Sequence, residues 1–233
     1  MSTIEQNLQA VRDSIAQAAL EARRAPGDVT LLAVSKTFGA DAVLAAVRAG
    51  QAAFGENYLQ EALDKIAAVK AAAPEHALAW HFIGPIQSNK TRPIAEHFDW
   101  VHTVEREKIA ARLSEQRPAG LPDLNICLQV NISGEASKSG VTPAELPALA
   151  HAVARLPRLR LRGLMAIPEP ETDVALQRRA FAQLRALYDQ LKADGLALDT
   201  LSMGMSADLR AAVLEGATIV RVGSAIFGSR NYS

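Results

Sequence analysis

Val29-Thr30-Leu31-Leu32-Ala33-Val34-Ser35-Lys36 is an apolar, β-prone run that closes on an amine. A short apolar run of this kind reads as a buried strand of the sort a parallel sheet needs. Taking an ammonium out of water disfavours its charged form. A lysine closing such a strand therefore tends toward the neutral, nucleophilic amine that forms Schiff bases with carbonyl compounds. Lys36 is the first candidate functional residue.

On the N-terminal side, Ile4, Leu8, Val11, Ile15, Ala19 and Ala22 recur at steps of three and four. That spacing predicts one helix from Ile4 to about Arg23, ended by Pro26-Gly27. On the C-terminal side, short β-prone runs alternate with alanine-rich helical patterns. Strands are expected near Val29 to Ser35, Ala52 to Phe54, Ala79 to Phe82, Trp100 to Thr103, Asn125 to Asn131, Leu161 to Met165, Thr200 to Met203 and Thr218 to Val222. Helices are expected at about Ala40 to Ala49, Tyr58 to Ala72, Ser88 to His97, Glu105 to Gln116, Pro143 to Arg155, Asp173 to Lys192 and Ser206 to Leu214.

Eight β/α units in 233 residues suit an α/β chain folded as a single (β/α)8 TIM barrel with an additional N-terminal helix. A doubly wound open sheet is the competing architecture. Two features favour the barrel. Polar and varied residues follow the strands, as on the C-terminal face of a barrel, and no G-x-G-x-x-G follows a strand. With no Pro/Gly/Ser-rich linker, low-complexity tract or short-period repeat, residues 1–233 read as one domain.

Charge excludes one class of partner. Lysine plus arginine and aspartate plus glutamate stand at 25 each, so there is no basic excess of the kind that drives nucleic-acid binding. A small ligand is expected instead. Cys127 is the only cysteine, which rules out an intramolecular disulfide and suits a reducing compartment, with the thiol packed as a small hydrophobe. The N-terminus shows no basic region followed by an apolar core, and no apolar stretch approaches the ~18 residues of a membrane span. A cytoplasmic protein with no membrane association is expected. Balanced charge and the lack of a self-association motif point to a monomer.

Chemistry concentrates near the C-terminus. Ser206 lies where a helix is expected to begin, and Gly223-Ser224 follows the eighth strand, so hydroxyls and backbone N–H groups would converge there on an anion. Phosphate sites of such barrels commonly use the loops after strands seven and eight. Plain helix capping by Ser206 and Ser224 is the alternative. Arg221 sits among Ile219, Val220 and Val222, so its charge needs a partner: a ring nitrogen at the barrel mouth or a structural salt bridge. The five histidines, His76, His81, His97, His102 and His151, match no metal motif. His81 could face the site or be packed structurally. Ser35 and Lys36 are adjacent on a strand and point to opposite faces, which argues against a serine-lysine pair.

The motifs Leu32-Ala33-Val34-Ser35-Lys36-Thr37, Phe54-Gly55-Glu56-Asn57-Tyr58, Trp80-His81-Phe82-Ile83-Gly84-Pro85-Ile86-Gln87-Ser88-Asn89-Lys90, Gln129-Val130-Asn131-Ile132-Ser133, Ser137-Lys138-Ser139-Gly140, Arg162-Gly163-Leu164-Met165, Leu201-Ser202-Met203-Gly204-Met205-Ser206-Ala207-Asp208 and Arg221-Val222-Gly223 recur in order along nearly the whole chain. In these the sequence resembles the pyridoxal-phosphate homeostasis proteins of the YggS or PROSC type, related in fold to the barrel domain of alanine racemase. The resemblance implies a Schiff base between Lys36 and pyridoxal 5'-phosphate (PLP), with the phosphate held by Ser206, Gly223 and Ser224. It further implies that Arg221 faces the pyridine nitrogen and that Asn57 lies beside the cofactor. PLP-requiring apoenzymes are the implied recipients. Phe38 stands where many relatives have a further lysine, and the chain ends at Ser233 without a basic tail, which argues against auxiliary lysines at those places. Lys138 does match and is the better candidate for transient binding.

Racemisation needs a base on each face of the substrate carbon, and Lys36 supplies one. In the racemases a tyrosine from an additional domain supplies the other; none of Tyr58, Tyr188 and Tyr232 has an obvious claim to that role, and the chain ends soon after the eighth strand. A cation opposite the ring nitrogen also weakens the cofactor as an electron sink. The expectation is a PLP-binding protein of vitamin B6 homeostasis with no catalytic residue and no metal. A PLP-dependent amino-acid racemase or lyase is the alternative, and a phosphate-binding scaffold without aldehyde chemistry is the third reading.

Overall fold

A computed structural model of the chain describes residues 2–229. Eight parallel strands close on themselves in chain order, with β1 (Thr30–Val34) paired to both β2 (Ala53–Glu56) and β8 (Ile219–Val222). Between them lie β3 (Ala79–Phe82), β4 (Trp100–Val104), β5 (Leu124–Gln129), β6 (Leu159–Met165) and β7 (Thr200–Ser202). The outer ring comprises α2 (Ala40–Arg48), α3 (Leu59–Ala72), α4 (Thr91–His97), α5 (Glu107–Gln116), α6 (Leu146–Ala154), α7 (Val174–Ala193) and α8 (Leu209–Leu214). The expected (β/α)8 barrel and its extra helix α1 (Thr3–Glu21) are present, and a one-turn helix α9 (Ser224–Phe227) follows β8.

Helix α1 starts with a reciprocal cap: Ser2 Oγ accepts from the Glu5 N–H at 3.2 Å, and Glu5 Oε2 accepts from the Ser2 N–H at 3.3 Å. Its buried stripe is Leu8, Val11, Ile15, Ala18 and Ala19, packed against α8 and α9. Asn7 Nδ2 donates to the Ile226 carbonyl at 2.9 Å, fixing α9 from below. The helix stops short of the expected Arg23 because that residue takes a left-handed φ of 56°.

Strand alternation divides the apolar residues into two cores. Leu31, Ala33, Phe54, Phe82, Val220 and Val222 face the helices in the large outer core. Leu32, Val34, Ile83 and Ile219, with Ala53 and Trp100 against them, form a small separate cluster inside the barrel. Gly163 shows how tight the wall is, since a Cβ there would overlap the Thr200 carbonyl of the neighbouring strand.

Several boundaries differ from expectation. The stretch beginning at Ser88 opens as a 3-10 turn, Ser88–Lys90, before α4. Strand β5 ends at Gln129 rather than Asn131, because the Asn131 amide folds over the next loop, donating to the Glu135 carbonyl at 2.7 Å and accepting from Ser133 Oγ at 2.9 Å. Helix α8 begins at Leu209, not Ser206: the Asp208 carboxylate accepts from the Met205 N–H at 2.6 Å and holds the preceding residues as a turn.

Cys127 is fully buried on β5, and burial pushes its thiol up to about 12. At pH 8 the thiolate fraction is therefore on the order of one in ten thousand. Native protein should resist a thiol reagent that labels the urea-unfolded chain within minutes; rapid stoichiometric labelling of the native protein would contradict this packing.

Candidate functional site

Parallel strands bring all their C-terminal ends to one face, and a cavity of about 330 Å³ opens there. Lys36, Asn57, Ser206, Arg221, Gly223 and Ser224 all line it, so the six residues singled out in the sequence converge although they come from the ends of four strands. Val34, Phe38, Ile83, Ile167 and Met205 supply an apolar wall. The size lies in the lower part of the ~300–1,000 Å³ range of small-ligand sites.

Lys36 stands beyond the strand end as expected, but it is less buried than its run suggests. β1 ends at Val34, and Lys36 sits two residues further on, only partly buried, at the cavity wall. The backbone on either side of it is held from outside the barrel. Lys65 of α3, 4 % exposed, donates from Nζ to the Ser35 carbonyl at 2.8 Å, to Glu56 Oε1 at 2.6 Å and to Glu61 Oε1 at 2.9 Å. Ser35 Oγ donates to the same Glu56 oxygen at 2.6 Å, so Ser35 serves this network rather than Lys36. Glu61 in turn accepts from the Thr37 N–H at 2.6 Å. Thr37 has φ 68°, a left-handed conformation that a β-branched residue adopts only under constraint, at a cost of roughly 1–3 kcal/mol. The clamp thus holds Ser35 and Thr37 while the side chain between them reaches the cavity. Burial raises the Glu56 carboxyl above its ordinary value, and the ammonium of Lys65 opposes that shift.

Arg221 is 4 % exposed and projects into the barrel from β8. Its Nη1 donates to Ser202 Oγ at 2.7 Å and its Nη2 to the Ala166 carbonyl at 3.0 Å. Among the described residues its hydrogen-bond partners are neutral, and the structural salt bridge is not formed. Burial pushes it down to about 10, which leaves it charged at neutral pH. Below it, Ser202 Oγ meets His102 Nδ1 at 2.7 Å, and His102 Nε2 meets His81 Nδ1 at 2.8 Å. His81 stacks on Trp100 with ring centroids 5.1 Å apart, and Arg162 lies over the Trp100 ring at 4.5 Å. His81 is therefore a packed histidine two hydrogen bonds from Arg221's serine partner, not part of the cavity wall. Burial lowers it to about 3 and takes His102 well below its ordinary value, so both rings are neutral.

The loops after β7 and β8 approach each other at the cavity. The Arg221 N–H donates to the Gly204 carbonyl at 2.9 Å, carrying the β7 to β8 pairing beyond the strands. Gly204 has φ 99° and turns the chain so that Ser206 reaches the rim. Ser206 is exposed in the turn before α8 and does not cap that helix; Ser224 is the first residue of α9, with Gly223 as its cap position. A Cβ at Gly223 would sit 3.2 Å from the Val34 carbonyl, so the small residue lets this loop lie close to β1. On the other side, Gly84 packs where a Cβ would overlap the backbone of Asn57. Asn57 Oδ1 is buried without a hydrogen-bond partner among the described residues.

Lys138 is not at the cavity: its Nζ pairs with Glu169 at 2.9 Å. Phe38 lines the wall and stacks on Phe227 at 5.2 Å. Tyr188 donates its buried hydroxyl to the Leu198 carbonyl at 3.1 Å, Tyr58 is 51 % exposed at the start of α3, and Tyr232 and Ser233 lie outside the described residues. No group of three or more histidine, cysteine or acidic residues among the described residues is placed to hold a metal, and no described helix is long and apolar enough to cross a membrane. Sequence reading passed over Lys65 and Glu61 and assigned no role to Ser202 or His102. Lys65 had a signal: it falls between Ala62 and Val69 on the apolar face of a helix, where a charge needs a buried partner.

A parallel barrel whose mouth gathers an amine, two hydroxyl-bearing loops and a buried guanidinium defines the racemase-barrel class, and the chain matches the alanine racemase N-terminal domain family over residues 6–231. Within that class it belongs to the family of pyridoxal phosphate homeostasis proteins. The protein of that name from Pseudomonas aeruginosa is 64 % identical over 232 residues, covering 100 % of this chain and 98 % of its own length. PipY of Synechococcus elongatus, solved with PLP bound, superposes with a TM-score of 0.83 at 37 % identity, over 97 % of this chain and 100 % of its own. Alanine racemase from Corynebacterium glutamicum shares the fold, with a TM-score of 0.70 at 18 % identity over 97 % of this chain and 60 % of the racemase.

Proposed function

We propose that the protein is a PLP carrier in vitamin B6 homeostasis, with residues 1–233 as one cofactor-binding domain. The observation that carries this reading is the convergence of Lys36, Asn57, Ser206, Arg221, Gly223 and Ser224 on one cavity. When bound, the cofactor supplies an aldehyde to the amine and a phosphate to the hydroxyl-bearing loops. The donor set fits those groups. Lys36 is the covalent tether, and Ser206, Ser224 and the backbone at Gly223 bind the phosphate, helped by the N–H groups at the start of α9. The orphaned Asn57 acceptor takes a hydroxyl or N–H donor of the ligand.

Arg221 supports a carrier over an enzyme. A guanidinium beside the ring nitrogen disfavours its protonation and weakens the electron sink that carbanion chemistry requires. Among the described residues, the ionisable side chains lining the cavity are Lys36 and Arg221, and Arg221 stays charged near neutral pH, so no second base stands opposite the Lys36 amine. The same reading makes the protein a cytoplasmic monomer that passes its cofactor to PLP-requiring apoenzymes. Mixing the loaded protein with such an apoenzyme should restore activity faster than the same concentration of free PLP does.

The direct test is borohydride reduction of protein mixed with one equivalent of PLP, followed by peptide mass spectrometry. One adduct at Lys36 is expected. Adducts spread over exposed lysines, or none, would defeat the assignment, and sustained turnover of an amino acid abolished by Lys36→Ala would favour a racemase or lyase.

A further inference from the structure

We infer that Ser202, His102 and His81 are positioning residues for Arg221, joined to it in a one-way chain of hydrogen bonds that fixes each imidazole with its proton on Nε2. The direction follows from the donor inventory. A guanidinium only donates, so Ser202 Oγ accepts from Arg221 Nη1 at 2.7 Å. The serine has one proton to give, and its remaining partner among the described residues is His102 Nδ1 at 2.7 Å. If Nδ1 carried a proton, two donors would point at the hydroxyl oxygen and the serine proton would be left in a buried site with no acceptor. His102 therefore accepts at Nδ1 and is protonated at Nε2, which donates to His81 Nδ1 at 2.8 Å. His81 is protonated at Nε2 in turn.

The chain crosses the barrel interior. It links β8 to β7, β4 and β3 and ends where His81 lies flat on Trp100, with ring planes 8° apart. Every member is buried, His102 and Ser202 completely, so these bonds are shielded from bulk solvent. An arginine has a long, flexible side chain, and without such a chain its guanidinium would sample several rotamers. Ser202 and the Ala166 carbonyl fix two of its donors, leaving the rest to face the cavity. Neutral imidazoles behind the guanidinium add no second positive charge to the buried site.

The reach of this chain to a bound cofactor rests on the proposed function; its proton arrangement does not, and the two are tested separately. Histidine-ring proton–nitrogen correlation spectra of cofactor-free, nitrogen-15-labelled protein at pH 7 should show His81 and His102 each as a single neutral Nε2–H tautomer. A Nδ1–H tautomer or an imidazolium at His102 overturns the inference. Ser202→Ala should turn His102 into a tautomer mixture. It should also weaken PLP binding about tenfold, at the lower end of what a charged hydrogen bond contributes, and shift the absorbance maximum of the bound cofactor. Ser202→Thr keeps the hydroxyl and should restore all three. Retention of the single tautomer and of PLP affinity within about twofold in Ser202→Ala would overturn the proposal. If Ser202→Ala does not fold, the wild-type and Ser202→Thr spectra still decide it. Failure of the wild-type protein to bond PLP at Lys36 would remove the carrier reading and leave the tautomer result standing on its own.

Discussion

Lys36→Ala protein, mixed with one equivalent of PLP and reduced with borohydride, is expected to carry no covalent adduct and to lose the yellow absorbance of the wild type. The loss should be complete at one equivalent, because among the described residues Lys36 is the lysine that lines the cavity. Lys65 is buried and gives Nζ hydrogen bonds to Ser35, Glu56 and Glu61, while Lys138 pairs with Glu169 away from the cavity. Residual non-covalent binding should survive, since Ser206, Gly223 and Ser224 are untouched. The fold should survive as well: Lys36 is only partly buried, beyond the end of β1, and its truncation leaves the inner cluster of Leu32, Val34, Ile83 and Ile219 intact. An adduct of equal yield on another lysine would show that the tether had been assigned to the wrong amine.

Lys65→Met is expected to lower stability by about 3–5 kcal/mol, because it strands the fully buried Glu56 carboxylate without its cation. For a chain of this size the thermal midpoint should fall on the order of 10 °C. The effect should also reach the site. Loss of the ammonium frees the Ser35 carbonyl and releases Glu61, the acceptor that holds the strained Thr37 N–H. Covalent capture of PLP at Lys36 should then slow, measured as the rate of absorbance change in variant protein kept well below its melting temperature. Adding Glu56→Gln to Lys65→Met should recover part of the stability, since the stranded charge is removed, but not the capture rate. A double variant that recovers both would mean that the network supports the fold without holding the loop around Lys36.

Much of the architecture is legible in the chain because it is written locally. Eight β-prone runs separated by helical patterns specify strands that must lie parallel, and the stripe from Leu8 to Ala19 specifies α1. The site is legible in outline for the same reason: strand ends are where Lys36, Asn57, Arg221 and Gly223 fall, and a parallel barrel gathers strand ends on one face. What stayed hidden depends on partners distant in sequence. His81 and His102 read as scattered histidines until β3 and β4 lie side by side, and Ser202 has no role until β7 lies beside β8. Ser206 looked like a helix start because serine often is one. Only the folded loop, with Gly204 turned and Asp208 holding Met205, moves the start of α8 to Leu209.

Sequence by itself determined the barrel, its added helix and the amine that stands first among the candidate groups, since hydrophobic period and strand order require nothing beyond near neighbours. Tertiary structure alone decided how that amine is held. The Val29 to Lys36 run suggested a buried lysine at a strand end, whereas the fold ends the strand at Val34, leaves Lys36 only partly buried and clamps Ser35 and Thr37 from α3. It also decided that Arg221 is held by a serine and a carbonyl, with His102 and then His81 behind the serine, rather than by a carboxylate. The hydrogen bond between His102 and Ser202 joins residues 100 positions apart across the closed barrel, and no local pattern encodes such a pairing.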